Sequence, residues 1–491
     1  MAKLVMSLPE NIHPHTFIHY LKQTYDLPDV FYVDTWPVGD QICAVVNPEL
    51  AQYVTVQHSL PKHPALERTL NHITGFKSLV GLEGQEHKRW RAVFNPGFST
   101  AHLMTLVSGI VDDCTVFRDI LVKHAEKGDR FLLEEAATGV TIDVIGRAVL
   151  RSDASMNAQT SENEFVEAFR SQLTWLPKSG DMNPFRIFNP VRPFIFLYNE
   201  YRMNRYLTKV VSNRLQTRHD LENGNEEKKK RGKPILDLAL DEYRAEEGKG
   251  STKNLDAGFL KGVMPHIKVF MFAGHDTTSS TICYAAKAIS ENPEVLQKFR
   301  AECDEVFGPN IEQTAQKIKD DPRIINRLTY TVAVIKETLR LFPAASSVRL
   351  GQPGYMLQHE GRQYPTDTFM TWPVAHALHH SPKFWPEAES FIPERWLVKE
   401  GDPLFPIKGA YRPFEWGPRN CIGQELAMIE SRVALVLMLR DLTIEVAYDE
   451  GKDVKKSGGL PRTTPEGERA YQILIATAKP AEGMPVRMKR G

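Results

Sequence analysis

One short segment contains the residue types needed to present a cysteine sulfur as a charged ligand. The segment FEWGPRNCIG spans residues 414–423 and precedes an amphipathic helical pattern. Gly417 permits a turn with positive φ, and Gly423 lets the following helix begin close against a flat ligand. Backbone N–H groups at the helix start, together with Arg419, are expected to favour a thiolate over a thiol. Cys421 is therefore a candidate metal ligand.

Two other roles for Cys421 have to be weighed. Most free cysteines are small buried side chains, and a hydrolase could use Cys421 as a nucleophile with one of the sixteen histidines. The pattern F-x-x-G-x-R-x-C-x-G has five fixed positions, which coincide by chance in roughly one chain in ten thousand. The pattern therefore favours the ligand.

A second polar group lies inside a long apolar helical pattern over residues 256–290. In the run AGHDTT, the Thr277 hydroxyl can bond back to the Ala273 carbonyl, which loosens the helix and leaves a polar groove for oxygen and water. Asp276 supplies a titratable group that can relay protons. An ordinary helix with a few polar residues is the alternative. Pro265 predicts a bend, unless the helix begins later.

A possible charge pair occurs at Glu337 and Arg340, three residues apart on one helix face. Exposed pairs of this kind are common and indicate little by themselves. The later run FIPERW contains Arg395, about fifty residues further on and before the cysteine segment.

The remaining pattern predicts a helical protein with small sheets at both ends. A hairpin is predicted at residues 30–34 and 42–47, where a proline, a glycine and an aspartate separate two β-rich runs. Polar stretches at 222–233 and 246–254 are predicted to be solvated loops. Further helices are predicted at 234–243, 293–307, 323–342 and 423–442, and a strand at 471–476.

Composition limits the class of protein. The 491 residues contain 61 basic and 61 acidic side chains, so no overall field draws the chain to nucleic acid. The five cysteines are scattered and form no CxxC pair, which disfavours a disulfide scaffold or a zinc ribbon. No apolar run of about 18 residues and no signal peptide are visible. The chain as given is expected to be cytoplasmic and soluble.

These three motifs and the run HKRWR at residues 87–91 occur in the order seen in the cytochrome P450 superfamily, which the chain resembles from His87 to Gly423. The resemblance implies a mainly α (α+β) fold, with haem b between the long helix and the cysteine segment. A single catalytic domain over residues 1–491 is expected, with a β-rich region at about 28–80, a helical region at about 84–442 and a β-rich tail at 443–478.

In that family the cysteine thiolate binds the iron and donates electron density to it. By resemblance, Cys421 is the metal ligand, Arg419 contacts a haem propionate and Phe414 packs near the sulfur. Glu337, Arg340 and Arg395 are expected to form a buried charge network.

Residues at the haem edge follow from the same resemblance. The run HKRWR, residues 87–91, is similar to the family's W-x-x-x-R helix, with His87 where tryptophan is more typical. Arg91, His87 and Arg349 are expected to bind propionates, and exposed surface positions are the alternative.

The activity implied is a monooxygenase. Dioxygen activation would take two electrons from NADPH through a flavoprotein reductase, with protons passing Asp276 and Thr277, to hydroxylate, epoxidise or desaturate a substrate. We hypothesise that the reductase docks near Lys88 and Arg89. A lipophilic substrate, a monomer and peripheral membrane contact are expected. The predicted pocket residues are apolar or small: Val269, Phe272, Ala273, Ala344 and Val348.

Two further haem-based functions remain open: an isomerase or dehydratase acting on a peroxide, and a non-catalytic haem-binding protein. The runs AGHDTTSSTIC and GPRNCIGQELAM are similar to filamentous-fungal members of secondary metabolism, which suggests a polyketide or related substrate. Microsomal members begin with a membrane-spanning helix, so the surface of the endoplasmic reticulum is the expected location. Whether such an anchor was removed or never present is left open.

Overall fold

The computed structural model describes residues 2–9, 11–35, 39–150, 156–161, 163–176, 189–222, 234–247, 257–448 and 461–491. Helices form most of this part of the chain, and asparagine side chains cap several of them. The Asn47 side chain accepts hydrogen bonds from the backbone of Glu49 and Leu50 at the start of one helix, which satisfies N–H groups without an intrahelical partner. Most of the two polar stretches predicted as loops lies outside the described residues.

The described part of the chain contains seventeen α-helices. They are α1 (Ala2–Ser7), α2 (Pro14–Tyr25), α3 (Pro48–Gln52), α4 (Pro64–Thr74), α5 (Gly84–Phe94), α6 (Thr100–Met104), α7 (Val107–Lys127), α8 (Leu133–Leu150), α9 (Glu164–Thr174), α10 (Arg192–Glu222), α11 (Ile235–Glu247), α12 (Ala257–Glu291), α13 (Pro293–Phe307), α14 (Thr314–Asp320), α15 (Thr329–Leu341), α16 (Ala375–His379) and α17 (Gln424–Leu439).

The strands form small sheets. They are β1 (Val30–Val33), β2 (Ile42–Val45), β3 (Arg130–Leu132), β4 (Arg349–Leu350), β5 (Met356–His359), β6 (Arg362–Pro365), β7 (Met370–Pro373), β8 (Leu442–Val446), β9 (Gln472–Ile475), β10 (Thr477–Pro480) and β11 (Pro485–Arg490).

The predicted hairpin is confirmed and is part of a larger sheet. Strand β1 pairs antiparallel with β2, with Val30 opposite Val45. Strand β2 then pairs in parallel with β7, and β7 pairs antiparallel with β4. This sheet therefore joins the start of the chain to a region more than 300 residues later.

Helix α12 is the central element of the main hydrophobic core. It runs without interruption through Pro265, so a later helix start is excluded. Gly274 allows close packing against α8, because a Cβ atom at this position would lie 2.5 Å from Ile145. Tight contact with α8 fixes the rotation of α12 and thereby decides which of its side chains face the cavity. None of the described helices has the length and apolar character needed to cross a bilayer.

Candidate active site

A cavity of about 270 Å³ lies between α12, the cysteine segment and the chain that follows α15. Most of its lining is apolar. Several residues singled out by sequence lie on its wall: Ala273, Thr277, Ala344, Phe414, Arg419, Cys421 and Gly423. Within the described chain, no histidine lines this cavity, so Cys421 has no general base of the kind that a cysteine hydrolase requires.

The residues of α12 that border the cavity recur every three or four positions, as expected for one side of a helix. Two predicted pocket residues on this helix, Val269 and Phe272, do not lie on this face, and Phe272 instead packs near the ring of His275. Val348 packs against a separate apolar cluster that contains Trp372. The residues of α12 on the cavity wall are Phe270, Ala273, Gly274, Thr277, Thr278 and Thr281.

The cysteine segment is held by its own backbone. The Cys421 N–H donates to the Phe414 carbonyl at 2.9 Å, and the Asn420 N–H donates to the Gly417 carbonyl at 3.1 Å. Gly417 has a φ of 89°, and a Cβ atom there would lie 2.9 Å from the Val56 side chain. Glycine is therefore required at 417 for both conformation and space.

The Cys421 side chain is exposed to the cavity but lies away from bulk water, and this desolvation outweighs the groups that lower the pKa of its thiol, so the pKa is raised above its usual value. Those groups are the backbone N–H groups of Gly423 and Gln424 and the charge of Arg91. The backbone N–H groups therefore favour the thiolate as predicted, whereas Arg91, and not Arg419, is the charge that lowers the pKa of the sulfur. A metal ion bound at Cys421 would stabilise the thiolate, because metal ligation deprotonates a thiol.

Two arginines predicted at the haem edge make extensive contacts within the protein. Arg91 donates to the backbone oxygen and the side-chain oxygen of Asn420 at 2.7 and 2.9 Å, so it fastens the cysteine segment to α5. Arg419 donates to the Glu83 carboxylate at 2.6 Å and to two backbone carbonyls. His87 is buried beside both, and burial together with Arg419 and Arg91 lowers its pKa to about 4. His87 is thus neutral at physiological pH.

A cluster of cations at one edge of the cavity is suited to binding carboxylates. Arg349 is fully buried; its Nη1 donates to the Leu60 carbonyl at 3.0 Å. Its Nε and Nη2 atoms have no hydrogen-bond partner among the described residues, which is costly unless a ligand satisfies them. Four cationic side chains meet only two carboxylates in this cluster: Lys62, Arg349, Arg412 and Arg419 against Glu83 and Glu415.

Lys62 is a member of the cluster that sequence reasoning missed. It lines the cavity, and its ammonium group donates to the Ser347 hydroxyl. Burial, followed by repulsion from Arg349, lowers the pKa of Lys62 to about 7. The local sequence LPKHP has no feature that distinguishes this lysine from a surface residue, so packing alone brings it to the site.

Thr277 and Asp276 are adjacent in sequence but lie on different faces of α12. The Thr277 hydroxyl donates to the Ala273 carbonyl at 2.9 Å, as predicted, and borders the cavity. Asp276 is buried on another face of α12, where Lys479 lies 2.7 Å from its carboxylate and the Thr477 hydroxyl donates to it. Burial alone would lower the pKa of Lys479, but Asp276 and Glu134 outweigh burial and raise it. Asp276 does not line the cavity.

The predicted charge network is present and fully buried. The Glu337 carboxylate accepts two hydrogen bonds from Arg340, at 3.0 and 2.8 Å, and one from Arg395 at 2.9 Å. It also accepts from the Trp396 indole and the Ile392 backbone. Arg340 in turn donates to three backbone carbonyls. The network thus ties α15 to the segment that precedes the cysteine loop.

Comparison with known proteins agrees with this geometry. The family model for cytochrome P450 matches residues 3–468, and the chain belongs to the cytochrome P450 family. It is similar to the cytochrome P450 monooxygenase polC of Polytolypa hystricis, with 38% identity over 99% of this chain and 86% of the relative.

Two further relatives are fungal. The cytochrome P450 monooxygenase acrF of Aspergillus aculeatus is 38% identical over 97% of each chain, and ptmG of Penicillium ochrochloron is 28% identical over 100% of this chain and 87% of the relative. The resemblance and the mainly helical fold with small sheets are confirmed. The protein is a haem-thiolate monooxygenase, and the isomerase and haem-binding alternatives are not favoured.

Proposed function

We propose that this monooxygenase binds haem b through Cys421 and oxidises a lipophilic fungal secondary metabolite, such as a polyketide. The observation that carries the proposal is the mainly apolar cavity that has Cys421 and Thr277 on its wall. When bound, a thiolate-ligated haem supplies dioxygen activation. The protein supplies the sulfur ligand, exclusion of water and proton delivery. The proposed electron donor is an NADPH-dependent flavoprotein reductase. The chain is proposed to act as a monomer.

The cation cluster defined by Lys62, Arg349, Arg412 and Arg419 is proposed to bind the two haem propionates. Arg349 is the strongest candidate, because its unpaired buried donors match a carboxylate acceptor. In contrast to the sequence prediction, Arg91 is proposed to act by holding the cysteine segment through Asn420. His87, which is neutral, is proposed to pack beside Arg419.

Replacing Arg349 with methionine is expected to accelerate haem loss by about 10- to 100-fold. A hydrogen bond to a charged group contributes about 1.5–3 kcal/mol, and methionine removes that interaction while filling similar space. Haem transfer to an excess of an acceptor apoprotein measures the rate. Arg68→Met is the control, because Arg68 pairs with Asp40 at an exposed position. Equal rates of haem loss for the two variants would exclude Arg349 as a propionate ligand.

The Thr277 hydroxyl is proposed to hold a proton donor at the cavity, since its bond to Ala273 keeps it on the wall. Asp276 is proposed to take part in proton delivery only after its side chain leaves Lys479 and turns towards Thr277. Lys479 therefore holds the acid apart from the cavity in the conformation described.

Thr277→Ala is expected to retain haem and to lower the product formed per NADPH by about tenfold or more, since positioned proton transfer contributes at least this factor. The electrons then leave as hydrogen peroxide, formed from dioxygen with two electrons and two protons. Product, NADPH and peroxide are measured together. Thr115→Ala is the matched control, because Thr115 makes the same bond to the backbone of α7 outside the cavity. Unchanged coupling in Thr277→Ala would exclude this role.

The substrate class is tested with purified holoprotein, a reductase and NADPH. Lipophilic polyketides are expected to shift the Soret band on binding and to yield products that contain one atom from ¹⁸O₂, or a new double bond. Products that form from a peroxide substrate without reductase would instead indicate the isomerase or dehydratase. Reversing the charges of Lys88 and Arg89 tests the docking site: an unchanged salt dependence of reduction would place docking elsewhere.

A further inference from the structure

A group of metal-ligating side chains lies outside the cavity, where α2 meets the segment after α16. The group consists of His19 in α2, His380 directly after α16, and Glu389 in the loop that follows. Both histidines are buried, whereas the Glu389 side chain is 64% exposed. One donor atom from each residue lies within 4.8 Å of the other two. Three separate parts of the chain thus converge on one point that solvent can reach.

The contacts of His380 define the state of its ring. Its Nε2 atom lies 2.9 Å from the Leu341 carbonyl oxygen, and a carbonyl only accepts, so Nε2 carries a proton. Its Nδ1 atom lies 2.7 Å from a Glu389 carboxylate oxygen. In a neutral ring, Nδ1 then presents a lone pair to an acceptor oxygen. At 2.7 Å the two atoms share a proton, and a metal ion bound by both atoms would replace that proton and hold them about 3.3 Å apart.

His19 approaches the other oxygen of the same carboxylate. Its Nε2 atom lies 3.9 Å from that oxygen. An imidazole nitrogen that adjoins a carboxylate is a common arrangement of metal ligands.

A third histidine ring, His376, lies beside the two histidine donors. The His376 ring lies 5.4 Å from the His19 ring and 4.3 Å from the His380 ring. Its Nδ1 atom is buried and has no hydrogen-bond partner in the described structure. An imidazole nitrogen without a hydrogen-bond partner among the described residues thus adjoins the three donors.

We propose that His19, His380 and Glu389 bind a Zn²⁺ ion that fastens α2 to the segment after α16. Imidazole nitrogen and carboxylate oxygen are the donors that zinc prefers. In a tetrahedral site the donor atoms lie about 3.3 Å apart; here His380 lies 2.7 Å from one Glu389 oxygen and His19 lies 3.9 Å from the other, so binding one ion would need only small movements of these side chains. The Leu341 carbonyl is the outer partner that orients a ligating histidine, and water reaches the remaining position beside Glu389.

The test uses the haem-loaded full chain, dialysed against low-micromolar free Zn²⁺ and then against metal-free buffer, with zinc counted by elemental analysis. Wild type is expected to retain one zinc per chain and to show a higher unfolding temperature with zinc. Glu389→Gln and His19→Gln are expected to weaken Zn²⁺ binding by more than about tenfold, the lower end found even for outer-partner changes. Glu445→Gln and His124→Gln are matched controls, whose side chains pair elsewhere with Lys489 and Asp129.

The partly exposed position of Glu389 keeps the test decisive, because Glu389→Gln is expected to fold and to retain its haem spectrum. Zinc in wild type and in the controls, but not in the two site variants, supports the site. A wild type without bound zinc would overturn the proposal. Zinc retained in Glu389→Gln would place the ion elsewhere and would overturn it equally. Neither result depends on the proposed substrate.

Discussion

Replacing Cys421 with alanine is expected to abolish both the red-shifted Soret band of the reduced carbon monoxide complex and NADPH-dependent turnover. The red shift requires a thiolate ligand, which donates electron density to the iron and favours O–O cleavage. Cys421 is the cysteine that lines the cavity, and the other four are buried elsewhere. The difference spectrum of reduced protein with carbon monoxide gives the result directly.

A matched control is available in Cys303→Ala. Cys303 is buried in α13, so this substitution removes the same atom without altering the cavity. The control is expected to keep its spectrum and its turnover. Survival of the red-shifted band in Cys421→Ala, in folded protein that contains haem, would contradict the assignment of the ligand.

Replacing Glu337 with glutamine is expected to destabilise the fold by about 3–5 kcal/mol, the cost of breaking a buried charge pair. The carboxylate accepts hydrogen bonds from Arg340, Arg395, the Trp396 indole and the Ile392 backbone. A neutral amide leaves two buried guanidinium groups without their counter-charge and presents an N–H₂ group to donors. We expect a low yield of haem-loaded protein and unfolding at a much lower denaturant concentration.

Glu394→Gln is the control for this prediction. Glu394 pairs with Lys298 at 2.7 Å, but both side chains are substantially exposed. Exposed pairs contribute about 1 kcal/mol or less, so the control is expected to unfold close to wild type. Similar denaturant midpoints for Glu337→Gln and Glu394→Gln would show that burial does not increase the contribution of the Glu337 network to stability.

The sequence alone determined the features that depend on neighbours along the chain. The bond from Thr277 to Ala273 spans one helical turn, and spacing predicts it. The turn at Gly417 and the helix after Cys421 follow from residues within ten positions. The order of the motifs was sufficient for the family, and through the family for the charge network of Glu337, Arg340 and Arg395.

Only the tertiary structure decided which side chains meet across long separations. The packing of Gly274 on α8 fixes the rotation of α12 and so excludes Val269 and Phe272 from the cavity. Asp276 pairs with Lys479, which lies about two hundred residues further along the chain. Lys62 joins the cation cluster because the fold of its loop brings it there. Periodicity specifies that a helix has an apolar face, but not which partner covers it. For Cys421, the sequence identified a candidate ligand, whereas the fold decided that Arg91, and not Arg419, is the charge that acts on its sulfur.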